Sequence, residues 1–159
     1  MEGRDIESLL VKNLLLHAAK HHPRPASEPD QQLNICVIST SPEATTAALK
    51  KAGVLADSLN ARISLMVPQV VPFPLPLESP PVLVEFNENR YRAIASEVSV
   101  ETSVHIYLCR DRLQTLSSVL PPGALIVLGG CRRWWPTNER RLARRLRKIG
   151  HEVILIETE

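Results

Sequence analysis

From residue 33 onward the chain alternates between short apolar runs and longer segments whose apolar residues recur at helical spacing. No other feature constrains the fold as much. The runs are 33–38, 63–67, 104–109, 124–128 and 153–156. The first and fourth are almost unbroken in apolar character, as a strand buried on both faces requires. Between the first two runs, Thr40-Ser41-Pro42-Glu43 has the chemistry of a helix start: a hydroxyl cap, an early proline and an acid in the first turn. Ala48, Ala52, Leu55 and Leu59 follow at helical spacing. The same signs predict a helix over 86–98 and a short one capped by Asp111, with Leu113, Leu116 and Leu120 inward. Pro121-Pro122-Gly123 stops the latter. A last helix is expected over 136–149, with Leu142, Leu146 and Ile149 on its core face and Gly150 as its stop. Residues 68–81 carry six prolines and are expected to form an irregular loop.

Strands separated by helices need crossover connections, which produce a parallel sheet with helices on both faces. The expectation is therefore an α/β, doubly wound, Rossmann-like domain over 33–159. Ahead of it, Asp5 can cap a helix over residues 5–20, with Ile6, Leu9, Leu10 and Leu14 sharing a face, so that 1–20 is an N-terminal amphipathic helix. The proline-rich stretch 21–32 reads as a linker without the apolar side chains a core needs. With 159 residues the chain is the size of one domain and buries about 70% of its unfolded surface without disulfide or metal. Aromatics make up only 4% of it, so Val, Ile, Leu and Ala must build the core. An odd number of widely spaced cysteines (Cys36, Cys109, Cys131), an acidic start without a basic leader and the lack of any apolar run near ~20 residues point to the cytoplasm.

Open parallel sheets bind ligands at the carboxyl ends of their strands, at the point where strand order reverses. Here those ends bear Ser39, Thr40 and Ser41; Val67 and Pro68; Cys109, Arg110 and Asp111; and Gly129, Gly130, Cys131, Arg132 and Arg133.

The run 33–38 leading into Ser41-Pro42-Glu43-Ala44 resembles the opening of universal stress proteins. So does 63–67 followed by a proline-rich loop, and Leu128-Gly129 followed by arginines, a helix and a last strand is similar to their C-terminal half. The resemblance spans about residues 33–157. It implies a five-stranded sheet of order 3-2-1-4-5 and frequent dimerisation through the last strand. ATP-binding members carry an acidic residue at the end of the first strand and a G-x2-G-x9-G-[ST] signature after the fourth. In this chain Ser39 takes the acidic position and Gly129 fits the first glycine, but Arg132 takes the second. The closing pair falls on Leu142-Ala143 counted forward, or near Asn138-Glu139 counted back from the last strand, and neither count yields a glycine. Glycine lets backbone N–H groups approach phosphate unobstructed, and Arg132, Trp134 and Trp135 fill that space instead. The expectation is that neither ATP nor AMP is bound.

Several residue groups have both a functional and a plain reading. In Arg132-Arg133-Trp134-Trp135-Pro136, two guanidiniums beside a helix start suit an anion and the indoles suit stacking. The preferred arrangement has one tryptophan in the core, the other over the sheet end, and both arginines solvated. Residues 1–128 carry a net charge of −2 (11 basic, 13 acidic), whereas 129–159 carry +4 (8 basic, 4 acidic). Most of that excess is Arg140, Arg141, Arg144, Arg145, Arg147 and Lys148 on the last helix. Such a face suits nucleic acid, anionic lipid or an acidic protein, or is solvated opposite Leu142 and Leu146, the preferred reading. No groove-reading motif supports nucleic acid. His17 and His21 are four apart but lack a third metal ligand, so no metal is expected. Cys109 and Cys131 stand at strand ends that the implied order keeps apart, and are expected to be inert. Asp111 is already a cap, which leaves catalysis without a base.

The sequence thus supports a non-catalytic, stress-related regulatory or binding module, homodimeric through Val153, Ile154, Leu155 and Ile156, with an unidentified protein partner. Its candidate ligand cleft is Ser39, Thr40, Ser41, Val67, Gly129, Gly130, Arg132 and Arg133. The alternatives are an adenine-nucleotide switch or weak ATPase using Arg132 and Arg133, and a domain that docks on an anionic surface through 140–148.

Overall fold

A computed structural model describes residues 32–159. Five strands and four helices alternate along the chain: β1 (Asn34–Ile38), α1 (Pro42–Leu59), β2 (Arg62–Val70), α2 (Val84–Ala95), β3 (Thr102–Cys109), α3 (Arg112–Val119), β4 (Leu125–Cys131), α4 (Asn138–Ile149) and β5 (Glu152–Thr158). All neighbouring strands pair in parallel, in the order β3-β2-β1-β4-β5. This is the expected order, and it puts the reversal point between β1 and β4. The helix expected over 1–20, and all but the last residue of the linker expected over 21–32, lie outside the described residues.

The central strand shows why apolar runs dictate this sheet. Ile35, Cys36, Val37 and Ile38 are all fully buried, and alternation sends them into two cores. Ile35 and Val37 join Ile63, Leu65, Val67 and Val127 under α1 and α2. Cys36 and Ile38 join Met66, Ile126 and Leu128 under α3 and α4. Each large aliphatic side chain buried this way contributes about 1.5–3 kcal/mol.

Helix α1 lies against the sheet through small residues: Ala44, Ala48, Ala52 and Ala56 are all buried. Ser41 caps it by accepting the N–H of Ala44, Pro42 opens it, and Asn60 closes it at φ 49. In α3, Asp111 accepts the N–H of Gln114 at 2.8 Å. In α4, Thr137 is the cap and left-handed Gly150 (φ 109) the stop, so that helix begins two residues later than expected.

Several expectations are corrected. Leu33 is exposed and β1 starts at Asn34. Helix α2 spans Val84–Ala95 rather than 86–98. Leu59 and Ile149, expected to face the core, are 48% and 51% exposed because each ends its helix past the edge of the sheet contact. The expected loop 68–81 starts late: β2 continues through Pro68 to Val70, paired with Tyr107, Leu108 and Cys109. The Met66 carbonyl points to β1, where it accepts the N–H of Ser39. Groups of alternate residues point the same way, so the N–H that Pro68 lacks would have met the Ser39 carbonyl; β1 stops there, and an arginine of α3, Arg112, donates to that carbonyl instead. The rest of the loop is tied down. Arg110 donates to the carbonyls of Val71 and Leu75, each at 2.7 Å, and its guanidinium lies 4.2 Å over the Phe73 ring. Gln69 holds the loop's far end through Val82 O and accepts from Asn87.

Candidate functional site

At the carboxyl end of β1, each polar residue of the expected cleft is already bonded within the protein. Ser39 is buried, and its N–H donates to Met66 O at 2.9 Å. The Thr40 hydroxyl donates to Gly129 O at 2.9 Å, tying β1 to β4 across the reversal point. The Thr40 N–H goes to the hydroxyl of fully buried Thr45, also at 2.9 Å. Ser41 is the helix cap. Val67 belongs to the core beneath α1 and α2.

The two glycines are equally occupied. Both lie inside β4, paired with Ile156 and Glu157, and not in a loop after it. A Cβ on Gly129 would stand 2.0 Å from the carbonyl oxygen of Ala44, so glycine is needed there to let α1 approach the strand. A Cβ on Gly130 would meet the Cβ of Glu139 at 3.1 Å. The first turns of α1 and α4 thus close over the strand end from its two faces.

Arg112, which sequence reasoning missed, completes the closure. It is the first residue of α3, and its guanidinium donates to the Ser39 carbonyl at the end of β1. Its Nε is buried and has no hydrogen-bond partner among the described residues. Burial pulls its pKa below the usual arginine value, while the charges of Glu139, Cys109 and Tyr91 act in the opposite direction. One signal in the sequence pointed to it: an arginine in the first turn opposes the positive end of the helix dipole, so such a residue needs a tertiary reason to be there.

Arg132 and Arg133 do not join this group. Their side chains are exposed and make no hydrogen bond or ion pair among the described residues; only the Arg132 N–H is held, by Thr158 O at 2.8 Å. Trp134 and Trp135 are 93% and 76% exposed, which corrects the expectation of one core tryptophan and one covering the sheet. The cores beside β4 are already filled by aliphatic side chains, and the loop bearing the indoles runs outside them.

The cysteines behave as their burial dictates. Desolvation pushes the Cys36 thiol up to about 11. Cys109 is also raised, mainly by burial. Cys131 is exposed, and β2 and β1 stand between its strand and that of Cys109. No group of three or more metal-ligating side chains occurs among the described residues. No described helix is long and apolar enough to cross a membrane.

Solved universal stress protein structures share this architecture. One from Burkholderia pseudomallei matches with a TM-score of 0.53 at 22% identity, over 81% of this chain and 98% of its own. The universal stress protein from Archaeoglobus fulgidus gives 0.52 at 15% identity, over 78% and 93%. UspA from Lactobacillus plantarum gives 0.50 at 17% identity, over 78% and 97%. No family model matches the chain, and no curated protein sequence does. What is shared at these identities is the fold, and this chain has the universal stress protein fold.

Proposed function

We propose that the chain is a divergent universal stress protein acting as a stress-related binding or regulatory module, without catalysis and without bound ATP or AMP. The observation that carries this reading is the contact of Arg112 with the Ser39 carbonyl. An internal cation lies at the strand end where ATP-binding members of the family carry an acidic residue. The closures over Gly129 and Gly130 support it, because backbone already packed against a helix is not free to cradle phosphate. Titration calorimetry with ATP and with AMP tests it. Binding is expected to be no tighter than about 1 mM, near −4 kcal/mol. Micromolar ATP binding that is lost in Arg132→Ala would favour the nucleotide switch instead.

The module is proposed to act as a homodimer through β5. Ile154, Leu155 and Ile156 are only half-buried, and among the described residues only β4 pairs with this strand. An apolar edge with free N–H and C=O groups is covered most simply by its own copy around a twofold axis. Light scattering at tens of micromolar should give twice the mass of 17.7 kDa; a monomer there removes the dimer from the proposal.

A further inference from the structure

The loop after β4 and the outer face of α4 together form a surface that the proposed function does not use. Helix α4 buries Leu142, Ala143 and Leu146 against the sheet. Its opposite face carries Arg141, Arg144, Arg145 and Lys148, all exposed, at positions that align along about two turns of helix. The other two bases of the helix are engaged elsewhere. Arg140 pairs with Glu157 through Nε at 2.8 Å and through its Nη2, and Arg147 donates to Val153 O at 2.7 Å. Glu139, the only acid in α4, is half-buried over Gly130. The stripe is therefore uniformly cationic. The chain immediately before the helix adds exposed Arg132 and Arg133 and the two exposed indoles of Trp134 and Trp135.

We infer that this surface docks on an anionic lipid membrane. Three observations select that occupant. The charge is single-signed and spread over six exposed side chains, Arg132, Arg133, Arg141, Arg144, Arg145 and Lys148, as attraction to acidic headgroups requires. The adjacent indoles are the side chains that settle at the headgroup level of a bilayer, with an apolar ring and a polar N–H. The basic stripe is the convex outer side of a helix, which meets a plane; a single nucleic-acid strand is held in a charged groove that follows its backbone. Docking depends neither on the crevice at β1 nor on whether nucleotide binds there.

Trp134 and Trp135 are the only tryptophans in the chain, so tryptophan emission, excited selectively over the two tyrosines, reports this loop alone. The experiment titrates the 159-residue chain with unilamellar vesicles of phosphatidylcholine containing about 30% phosphatidylserine, and with vesicles of phosphatidylcholine alone. A blue shift of tryptophan emission and co-sedimentation are expected with the anionic vesicles only, both lost near 0.5 M salt as the Debye length shrinks to a few ångströms. Arg144→Ala and Arg145→Ala should each weaken vesicle binding about fivefold, and the double Glu variant should abolish it. Trp134→Ala/Trp135→Ala, read by sedimentation, should weaken it at least about tenfold. These are exposed positions, and an unchanged circular dichroism spectrum shows that each variant is folded. The inference is overturned if no shift or sedimentation occurs with anionic vesicles, if neutral vesicles bind equally, if the Arg and Trp variants bind like the parent, or if a single-stranded oligonucleotide shifts the emission and the vesicles do not.

Discussion

The end of β1 and the loop that follows β4 lie at the carboxyl ends of neighbouring strands, and an arginine stands at each, where the fold's ligand crevice is expected. At β1, Arg112 is drawn inward, bonded to the Ser39 carbonyl with its Nε buried. After β4, Arg132 is exposed with its side chain unpartnered among the described residues. The difference comes from the neighbouring backbone. Ser39 is buried and its carbonyl is an acceptor that must be satisfied, so a cation reaching it from α3 is held. Arg132 continues a strand whose last residues, Gly129 and Gly130, are already covered by α1 and α4, so its side chain is left only with solvent. The charge that shapes the interior thus comes from a residue outside any motif, and the charge at the motif position faces outward.

Substitutions break this comparison in a graded way. The largest effect is expected for Gly129→Ala: its Cβ would need to displace backbone of α1 from 2.0 Å, costing about 3 kcal/mol or more in urea unfolding, or preventing folding outright. A loss below about 1 kcal/mol would mean that α1 does not close on β4 as described. Next comes Arg112→Ala, which leaves the buried Ser39 carbonyl without its partner and should cost about 2 kcal/mol, a drop of roughly 5 °C in Tm. Arg132→Ala, by contrast, should stay within about 0.5 kcal/mol. Equal effects at Arg112 and Arg132 would erase the distinction between the two regions.

A smaller effect is expected from pH. The buried Cys36 thiol titrates at about 11, above its unfolded value, so the unfolded chain loses its proton first. The stabilisation is complete below the unfolded thiol range, begins to fade as pH rises through it, and is gone above about 11. Under reducing conditions the loss due to Cys36 amounts to about 0.5 kcal/mol at pH 9, and that part should be missing in Cys36→Ala when pH 9 is compared with pH 7. Alkylation at pH 8 should label exposed Cys131 well before Cys36 or Cys109. Cys36 reacting as fast as Cys131 would show that the centre of the sheet opens readily.

The architecture was legible because each strand had to be apolar enough for its burial. Residues 35–38 could hardly be anything but a central strand, and Asp111 and Gly150 marked helix ends by chemistry that depends on neighbours in sequence. What the sequence concealed depended on partners distant along the chain. Pro68 reads as a strand breaker, and β2 runs through it because the Ser39 carbonyl it cannot bond is satisfied by distant Arg112. Gly129 reads as the remnant of a phosphate loop and Gly130 as part of a ligand cleft, whereas they make room for Ala44 and Glu139. Of Trp134 and Trp135, one reads as core and the other as a cover over the sheet end, but the cores on both sides of β4 were already complete. Arg112 bonds a residue 73 positions away: its place in the first turn of α3 marks it as needing a partner, and no local pattern names which.

Native mass spectrometry of the protein as purified from its own cells tests the central claim most directly, because it asks whether the crevice sealed by Arg112, Ala44 and Glu139 holds a ligand. The account predicts only the mass of the polypeptide and its integer multiples, with no adenine nucleotide released on denaturation. A stoichiometric ATP or AMP adduct, lost when Ser39 or Gly129 is substituted in a folded variant, would contradict it.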